Sequence, residues 1–237
     1  MDPIWIEVLG RAAMRMIDWL LSLDNSIQIL GLCAAALQAL GYLVYVTQVL
    51  RSEIRPNAAS WTMFAYGTTL LLFLEMDRGA RWELLAVPAV CAISSILVAI
   101  YCLRRGGRLW PQNSVDRLSF VLDVCITIVY VSAWIMLTRG SIDEHQKSFI
   151  DLVLLICWNF GILTAFFPLL REVYRNPHSE RSSPWLIWSI AYALLFTATI
   201  ITQKGIDELA LYPLVNMIVH MFVAHHARAH RRRRMLA

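Results

Sequence analysis

Seven apolar runs dominate the chain, and each is about as long as a helix that crosses the hydrocarbon core of a membrane. The runs are Ile27–Leu50, Ala59–Glu75, Trp82–Leu103, Leu118–Thr138, Phe149–Leu170, Trp185–Thr202 and Leu209–Ala227. Hydrophobic residues make up 58% of the 237 residues and charged residues only 16%, collected in short clusters between the runs. Strands of a β-barrel would alternate in polarity and be about half as long. The sequence therefore predicts an all-α protein with seven transmembrane helices, located in a plasma or inner membrane.

The first 26 residues have a different pattern. Glu7, Arg11, Arg15 and Asp18 fall on one face of a helix, with apolar residues around the rest of it. This pattern favours an amphipathic helix lying in the membrane interface, and a helix packed on the rest of the protein is the alternative. A signal peptide is disfavoured, because the start carries Asp2 and no basic region.

Basic residues predict the orientation of the helices. The first-to-second, third-to-fourth and fifth-to-sixth loops and the C-terminus hold 14 of the 21 lysines and arginines. By the positive-inside rule, the N-terminus lies outside and the C-terminus in the cytosol. The tail with Arg231–Arg234 is expected to attract anionic lipid, and charge confined to one tail disfavours nucleic acid as a partner. His226 and His230 have metal-ligand spacing but no matching cysteine or carboxylate, so no metal site is expected.

One design occurs twice in the sequence. In Tyr45–Trp61 and again in Phe166–Trp188, an apolar helix runs into a charged turn with a proline and a second helix follows. Aligned at offsets of 120 to 126 residues, the two halves match at several positions. The matches are Gly41 with Gly161, Arg51 with Arg171, Trp61 with Trp185 or Trp188, Tyr66 with Tyr192, Gly79 with Gly205, and Glu83, Pro88 and Cys91 with Glu208, Pro213 and Asn216.

This duplication predicts two three-helix units in a 3+1+3 arrangement. The fourth run matches neither unit, and as a linker it restores the first unit's orientation, which gives a parallel repeat. The expected division is an interfacial helix, a first unit, a linker with the fourth helix, a second unit and a basic tail. Their limits are 1–26, 27–106, 107–140, 141–227 and 228–237.

This architecture, with a proline–glutamine type of turn after the first helix of each unit, resembles the PQ-loop superfamily and most closely the SWEET sugar facilitators. The resemblance covers Ile27–Ala227. The motif is incomplete, because Thr47-Gln48 keeps only the glutamine and Pro168-Leu169 only the proline. The resemblance implies a facilitator that passes a small polar solute, with a sugar as one candidate, by alternating access and without a cofactor.

The same resemblance implies a solute site between the units. In SWEET proteins, an asparagine on the third helix of each unit lines a central pocket, and Asn216 matches the second of these positions. Cys91 occupies the first, and Trp188, Tyr192 and Tyr66 are candidates for the facing wall. The alternative is that Asn216 only bridges helices.

Further polar and proline residues lie within the apolar runs. Asn159 is assigned either to the pocket or to helix contacts. Pro88, Pro168 and Pro213 are candidate hinges between the units, with static kinks as the alternative. A continuous polar cavity between the units would favour transport, and a filled core would oppose it.

Two acidic residues within the apolar runs suggest a second function. Asp151 and Asp123 are candidate proton-coupling sites, which would make the protein a proton-coupled transporter of amino acids or organic cations. A third alternative is a non-transporting assembly factor or receptor. The sequence leaves open whether the protein forms a homo-oligomer. An enzyme is not expected, because the sequence has no nucleophile–base pair and no phosphate-binding glycine loop.

Overall fold

A computed structural model describes residues 23–107, 114–176 and 179–235. Eight α-helices and one 3-10 turn make up this part of the chain: α1 (Leu23–Leu50), α2 (Ala58–Asp77), α3 (Trp82–Arg104), α4 (Ser114–Thr138), α5 (Glu144–Ala165), α6 (Phe167–Arg175), α7 (Ser182–Gln203), the turn Glu208–Ala210 and α8 (Leu211–Met235). The expected interfacial helix over residues 1–26 lies outside the described residues, except for its last four positions in α1.

Polar side chains set several of the helix starts. The Asn57 side chain accepts a hydrogen bond from the Ser60 backbone and caps α2. Asp143 and Gln146 form a reciprocal capping box at the start of α5. At the ends of α2 and α7, Gly79 and Lys204 have left-handed backbone conformations, which stop each helix. The helix ends are therefore determined by local sequence, whereas burial of apolar side chains determines how the helices pack.

Six helical segments of the described chain are long and apolar enough to cross a membrane, which indicates an integral membrane protein. They are Asn25–Leu50, Trp82–Arg104, Phe120–Thr138, Glu144–Arg175, Ser182–Gln203 and Glu208–Arg228. The remaining expected run forms α2, which has 20 residues but is not among the six. The run predicted as Phe149–Leu170 is interrupted, because α5 ends at Ala165 and α6 begins at Phe167.

The surface of the bundle is rich in large apolar side chains. Leu43, Leu97 and Phe160 each expose more than 60% of their surface, and similar residues lie along the other long helices. A water-soluble domain rarely exposes such extended apolar patches. In a bilayer the same side chains contact lipid tails, so their exposure agrees with the membrane location.

The order of packing is the same in both halves of the chain. In the first half, α3 packs against both α1 and α2. In the second half, α8 packs against both α5 and α7. Between the halves, α1 packs against α7 and α2 packs against α5, while α4 contacts mainly α5 and lies at the edge.

Buried positions repeat along the chain at nearly constant offsets. Each buried residue of α1 has a buried counterpart 120 positions later. These counterparts lie in α5 or in α6. Each buried residue of α7 corresponds to a buried residue 124 positions earlier in α2, and each buried residue of α8 to one 125 positions earlier in α3. Equivalent helices therefore present equivalent faces to the core.

This register corrects one detail of the sequence alignment. At an offset of 124, Thr68 corresponds to Tyr192, and Tyr66 corresponds to the exposed Ile190. The pairing of Tyr66 with Tyr192 is thus wrong by two residues, or about 200° around a helix. At an offset of 120, Gln48 aligns with Pro168. The glutamine of the first incomplete motif and the proline of the second therefore occupy equivalent positions.

Gly41 provides a test of the packing between α1 and α7. A Cβ atom at this position would lie 2.2 Å from Nε1 of Trp188, whereas one at its counterpart Gly161 would lie 3.3 Å from a methyl group of Leu122 and 3.8 Å from Oδ1 of Asp123. We expect Gly41→Ala to destabilise the protein by about 1–3 kcal/mol through overpacking. Gly161→Ala, the matched control, should change stability by less than about 1 kcal/mol. Unfolding in detergent micelles measures both, and equal effects would contradict this packing.

Candidate functional site

A small cavity lies at the centre of the bundle, between the two halves. Its volume is about 20 Å³, which is room for about one water molecule. We call it the central cavity. It is lined by Tyr42, Trp61, Phe64, Thr68, Cys91, Ser95, Ile162, Phe166, Trp185, Trp188, Tyr192, Asn216 and His220. The core is therefore largely filled in this conformation.

Four of the predicted site residues line the central cavity: Cys91, Trp188, Tyr192 and Asn216. Asn216 Nδ2 donates to the Tyr212 carbonyl 3.0 Å away, within its own helix. The Cys91 thiol lies 3.3 Å from the Tyr192 hydroxyl and accepts from Gln38 Nε2 at 3.0 Å. The prediction that these residues bind a solute remains a prediction, but the structure brings them together.

Two predicted residues lie elsewhere. Tyr66 forms a 2.5 Å hydrogen bond with the hydroxyl of Thr127, so it faces the peripheral helix α4. Asn159 is buried in α5, where Nδ2 donates to the Leu155 carbonyl and Oδ1 has no partner. Neither residue lines the central cavity.

His220 is a cavity residue that the sequence reasoning missed. Its ring is enclosed by the aromatic rings of Phe166, Trp185, Trp188 and Tyr192, with centroids 4.9–5.8 Å away. Nδ1 lies 2.7 Å from the Asn216 carbonyl, and because a carbonyl only accepts, Nδ1 carries the hydrogen and leaves Nε2 as an acceptor. One signal was available, since His220 lies one helical turn after Asn216.

Contacts between the halves close the cavity at one end, where residues 51–57 and 179–181 lie between helices. We call this the first-turn end. Glu53 pairs with Arg181 at 2.8 Å, and Gln48 Nε2 donates to the Ser183 hydroxyl at 2.9 Å. The backbone N–H of Arg55 donates to the Ser179 carbonyl at 3.1 Å. These bonds all join the first half of the chain to the second.

A buried carboxyl group lies behind these contacts. Glu180 is 1% exposed, and it accepts from the Tyr45 hydroxyl at 2.9 Å and from Trp185 Nε1 at 3.0 Å. Tyr45 in turn accepts from Trp61 Nε1 at 3.0 Å. Burial raises the pKa of Glu180 to about 8, although its hydrogen bonds with Trp185 and Tyr45 act in the opposite direction.

Ion pairs close the opposite end, where residues 78–81 and 204–207 form the turns. We call this the second-turn end. Arg78 pairs with Glu208 and also donates to Ser148 in α5. Lys147 lies 2.8 Å from Asp77 and 2.6 Å from Asp151. Tyr130 and Trp134 of α4 each donate to Asp77 at 2.8 Å. Both ends of the bundle are thus joined across the two halves.

The two acids predicted for proton coupling have different surroundings. Asp151 is paired with the buried Lys147, and its other oxygen has no partner. Asp123 is buried in α4 close to Gly161, and its carboxylate makes no hydrogen bond to any residue that the structure describes. Neither acid lines the central cavity.

The three predicted hinge prolines occupy different helical positions. Pro88 is the seventh residue of α3, where it removes a backbone hydrogen bond from the helix. Pro168 lies in the first turn of α6, directly after the break at Phe166. Pro213 lies in the first turn of α8, where a missing N–H costs least. Pro88 and Pro213 share a repeat position, but only Pro88 interrupts a continuous helix.

A larger cavity opens at the first-turn end. It has a volume of about 400 Å³ and we call it the lateral cavity. Its walls include Arg55, Tyr101, Cys102 and Arg105. The Arg105 guanidinium lies 5.5 Å from the centre of the Tyr101 ring. The lateral cavity therefore brings solvent close to the turns that close the central cavity.

Comparisons with known proteins found no relative of this chain. The chain matches no protein-family model, no curated protein and no solved structure. Within the described ranges, no three side chains of histidine, cysteine, aspartate or glutamate converge as metal ligands. The functional argument therefore depends on the geometry of the two halves and of the cavity between them.

Lys147 provides a test of the second-turn end. Replacing it with alanine leaves the buried Asp151 carboxylate without its cation and removes one of the partners of Asp77. We expect Lys147→Ala to cost about 3–5 kcal/mol of stability, as breaking a buried ion pair usually does. The control is Arg139→Ala, at an exposed residue of the same end. Denaturant unfolding in mixed micelles compares them, and a loss below about 1 kcal/mol for Lys147→Ala would contradict a buried network.

Proposed function

We propose that the protein is a membrane carrier built from two parallel three-helix units joined by α4. The matched burial offsets of 120, 124 and 125 residues support the repeat, because they relate whole helix faces instead of single residues. The packing order supports it independently, since α3 and α8 each lie between the other two helices of their units. With α2 and α4 counted as spans, the two units have the same orientation.

The proposed orientation has the first-turn end in the cytosol. This end and the C-terminal tail carry most of the basic residues, as the positive-inside rule requires. The backbone of α8 continues through Met235, so the basic tail extends the last helix. Attraction of this tail to anionic lipid is part of the proposal.

Labelling from the two sides tests this orientation. We expect a cysteine at Arg139→Cys to react with an impermeant thiol reagent in intact cells, and one at Arg104→Cys to react only after permeabilisation. The exposed cysteines Cys33, Cys125 and Cys157 would first be replaced with alanine. The reverse pattern would show that the orientation is inverted.

The central cavity is the proposed solute site. The observation that supports it best is that cross-unit contacts close the bundle at both ends while polar and aromatic groups line the space between. Trp61, Trp185 and Trp188 use their N–H groups for bonds to Tyr45, Glu180 and the Gln38 carbonyl. Their ring surfaces are left to pack around the cavity. A carrier that alternates between two openings passes through a closed state of this kind.

The size of the central cavity limits the proposal. A volume of about 20 Å³ does not hold a sugar, so a sugar enters only after one end opens and the aromatic rings separate. The proposed solute is therefore small and polar, and hydrogen-bond donors on it fit the free acceptors of Asn216 and His220. Pro88, inside α3, is the proline best placed to let the units move.

Uptake into liposomes containing the purified protein tests the solute site. A panel of a hexose, a polyol, neutral and basic amino acids and methylammonium would find the solute. We expect Asn216→Ala to lower uptake at least tenfold, because it removes the amide from the cavity. The matched control is Asn159→Ala, since Asn159 is also a buried asparagine bonded to its own helix but lies outside the cavity. Equal losses in both variants would contradict the assignment.

A second function is favoured by the filled core. Closely packed aromatic rings around a cavity of water size also suit a static membrane protein, such as an assembly factor or receptor. The same assay separates the two proposals, because a static protein moves none of the solutes in the panel.

A further inference from the structure

Glu180 is a buried acid that the carrier model does not require. It lies in the turn between α6 and α7, outside the long apolar segments, yet it is 1% exposed. Its two oxygens accept from Tyr45 of α1 and Trp185 of α7. In the described parts of the chain, no basic side chain pairs with it, since the neighbouring Arg181 pairs with Glu53.

Such an environment disfavours a charge. Transfer of an ionised carboxylate from water to a site without a cation is costly, and two neutral donors offset only part of that cost. The neutral acid keeps both contacts if Oε1 is the carbonyl oxygen that accepts from Tyr45 and Oε2 carries the proton, because a hydroxyl oxygen can still accept from Trp185. The raised pKa of about 8 agrees with a protonated Glu180 at neutral pH.

We propose that Glu180 is a proton-binding site whose occupancy is coupled to opening of the first-turn end. The coupling deepens the proposed carrier function and depends on it. Glu180 holds together parts that must separate when this end opens, because Tyr45 belongs to the first unit and Trp185 to the second. Separation would break the bond to Tyr45 and expose the carboxyl group to water, while Trp185 stays beside Glu180 in the second unit.

Among the groups that surround Glu180, the proposed titration is assigned to Glu180 itself. Tyr45 faces it from α1, Trp185 from α7, and Trp61 of α2 through Tyr45. Cys102 of α3 interacts with it electrostatically. The pair of Arg181 with Glu53 lies beside it and is already compensated.

The lateral cavity is the proposed route for the proton, because it lies at the same end as Glu180. Cys102 both lines the lateral cavity and lies within electrostatic range of Glu180. On opening, the proton passes from the carboxyl oxygen to water in the lateral cavity and the carboxylate becomes hydrated. On closing, one proton returns from solvent. No other covalent bond changes in either step.

The sign of the pH effect follows from the closed state. With a pKa of about 8 when closed and the ordinary 4.5 when open, the proton favours the closed first-turn end. This stabilisation is complete below the ordinary value and is lost as the pH rises through about 8. Between these limits, the ratio of closed to open molecules falls about tenfold per pH unit. Alkaline solution therefore opens this end, and acid closes it.

Infrared difference spectroscopy on the full-length protein in lipid nanodiscs tests the protonation directly. We expect the C=O stretch of a protonated carboxylic acid at pH 6, lost with a midpoint near pH 8. Glu180→Gln should lack this transition, and Glu144→Gln, at an exposed glutamate, should retain it. If Glu180→Gln does not fold, Tyr45→Phe assigns the band, because loss of a donor to the carboxylate moves the midpoint upward. A wild-type spectrum without the acid band at pH 6 would overturn the site.

Hydrogen exchange tests the coupling. In residues 44–55 and 179–186, corrected for intrinsic rates, we expect wild-type exchange to rise about tenfold per unit between pH 6 and 8. Glu180→Gln, which mimics the neutral acid, should show no such rise. Titration of the acid band with pH-independent exchange would overturn the coupling.

The two proposals fail separately. Solute uptake by a protein whose Glu180 is ionised at pH 6 would refute the proton site and keep the carrier. Titration and pH-dependent exchange without uptake of any solute would keep a proton-controlled opening and refute the carrier.

Discussion

The contact of Trp188 with Gly41 holds the two halves of this protein together. In a bilayer, apolar helices gain little by leaving lipid for one another, so close packing and hydrogen bonds must supply the association. Gly41 has no side chain, which lets the indole ring lie directly on the backbone of α1 and donate to the Gln38 carbonyl at 3.1 Å. Tyr42, Tyr45, Trp61 and Trp185 then pack around that ring, with centroids 4.8–6.2 Å away. The shape of the central cavity follows from this cluster.

The alignment of the two halves explains which cavity residues could be predicted from the sequence. Cys91 and Asn216 were predicted from the resemblance to SWEET proteins and from their matching positions three residues after paired prolines, and the structure places both at the central cavity. Tyr66 was misplaced because an alignment error of two residues turns a side chain to the opposite face of its helix. The long apolar helices themselves were predictable, since length and composition decide them, but the break at Phe166 was missed and α2 is not among the six segments that are long and apolar enough to span a membrane.

Charged residues were the least predictable part. A glutamate in a polar turn and a lysine at a helix start both suggest solvated side chains, yet Glu180 and Lys147 are almost completely buried. Their burial depends on long-range neighbours, Tyr45 for one and Asp77 for the other, which no local pattern connects. His220 was missed because a histidine within an apolar helix is not distinctive by itself, and its position one helical turn after Asn216 was not used.

The repeat is also unequal in one place. The offset between the halves increases from 120 to 124 residues across the first turn, so the second copy of this turn is four residues longer. Glu180 lies within the longer copy, whereas the shorter copy has Ile54 and Pro56 buried or partly buried nearby. A duplicated bundle with identical halves would have no intrinsic preference between its two units. The four extra residues remove that equivalence, so the proposed proton-binding site is present in one half alone.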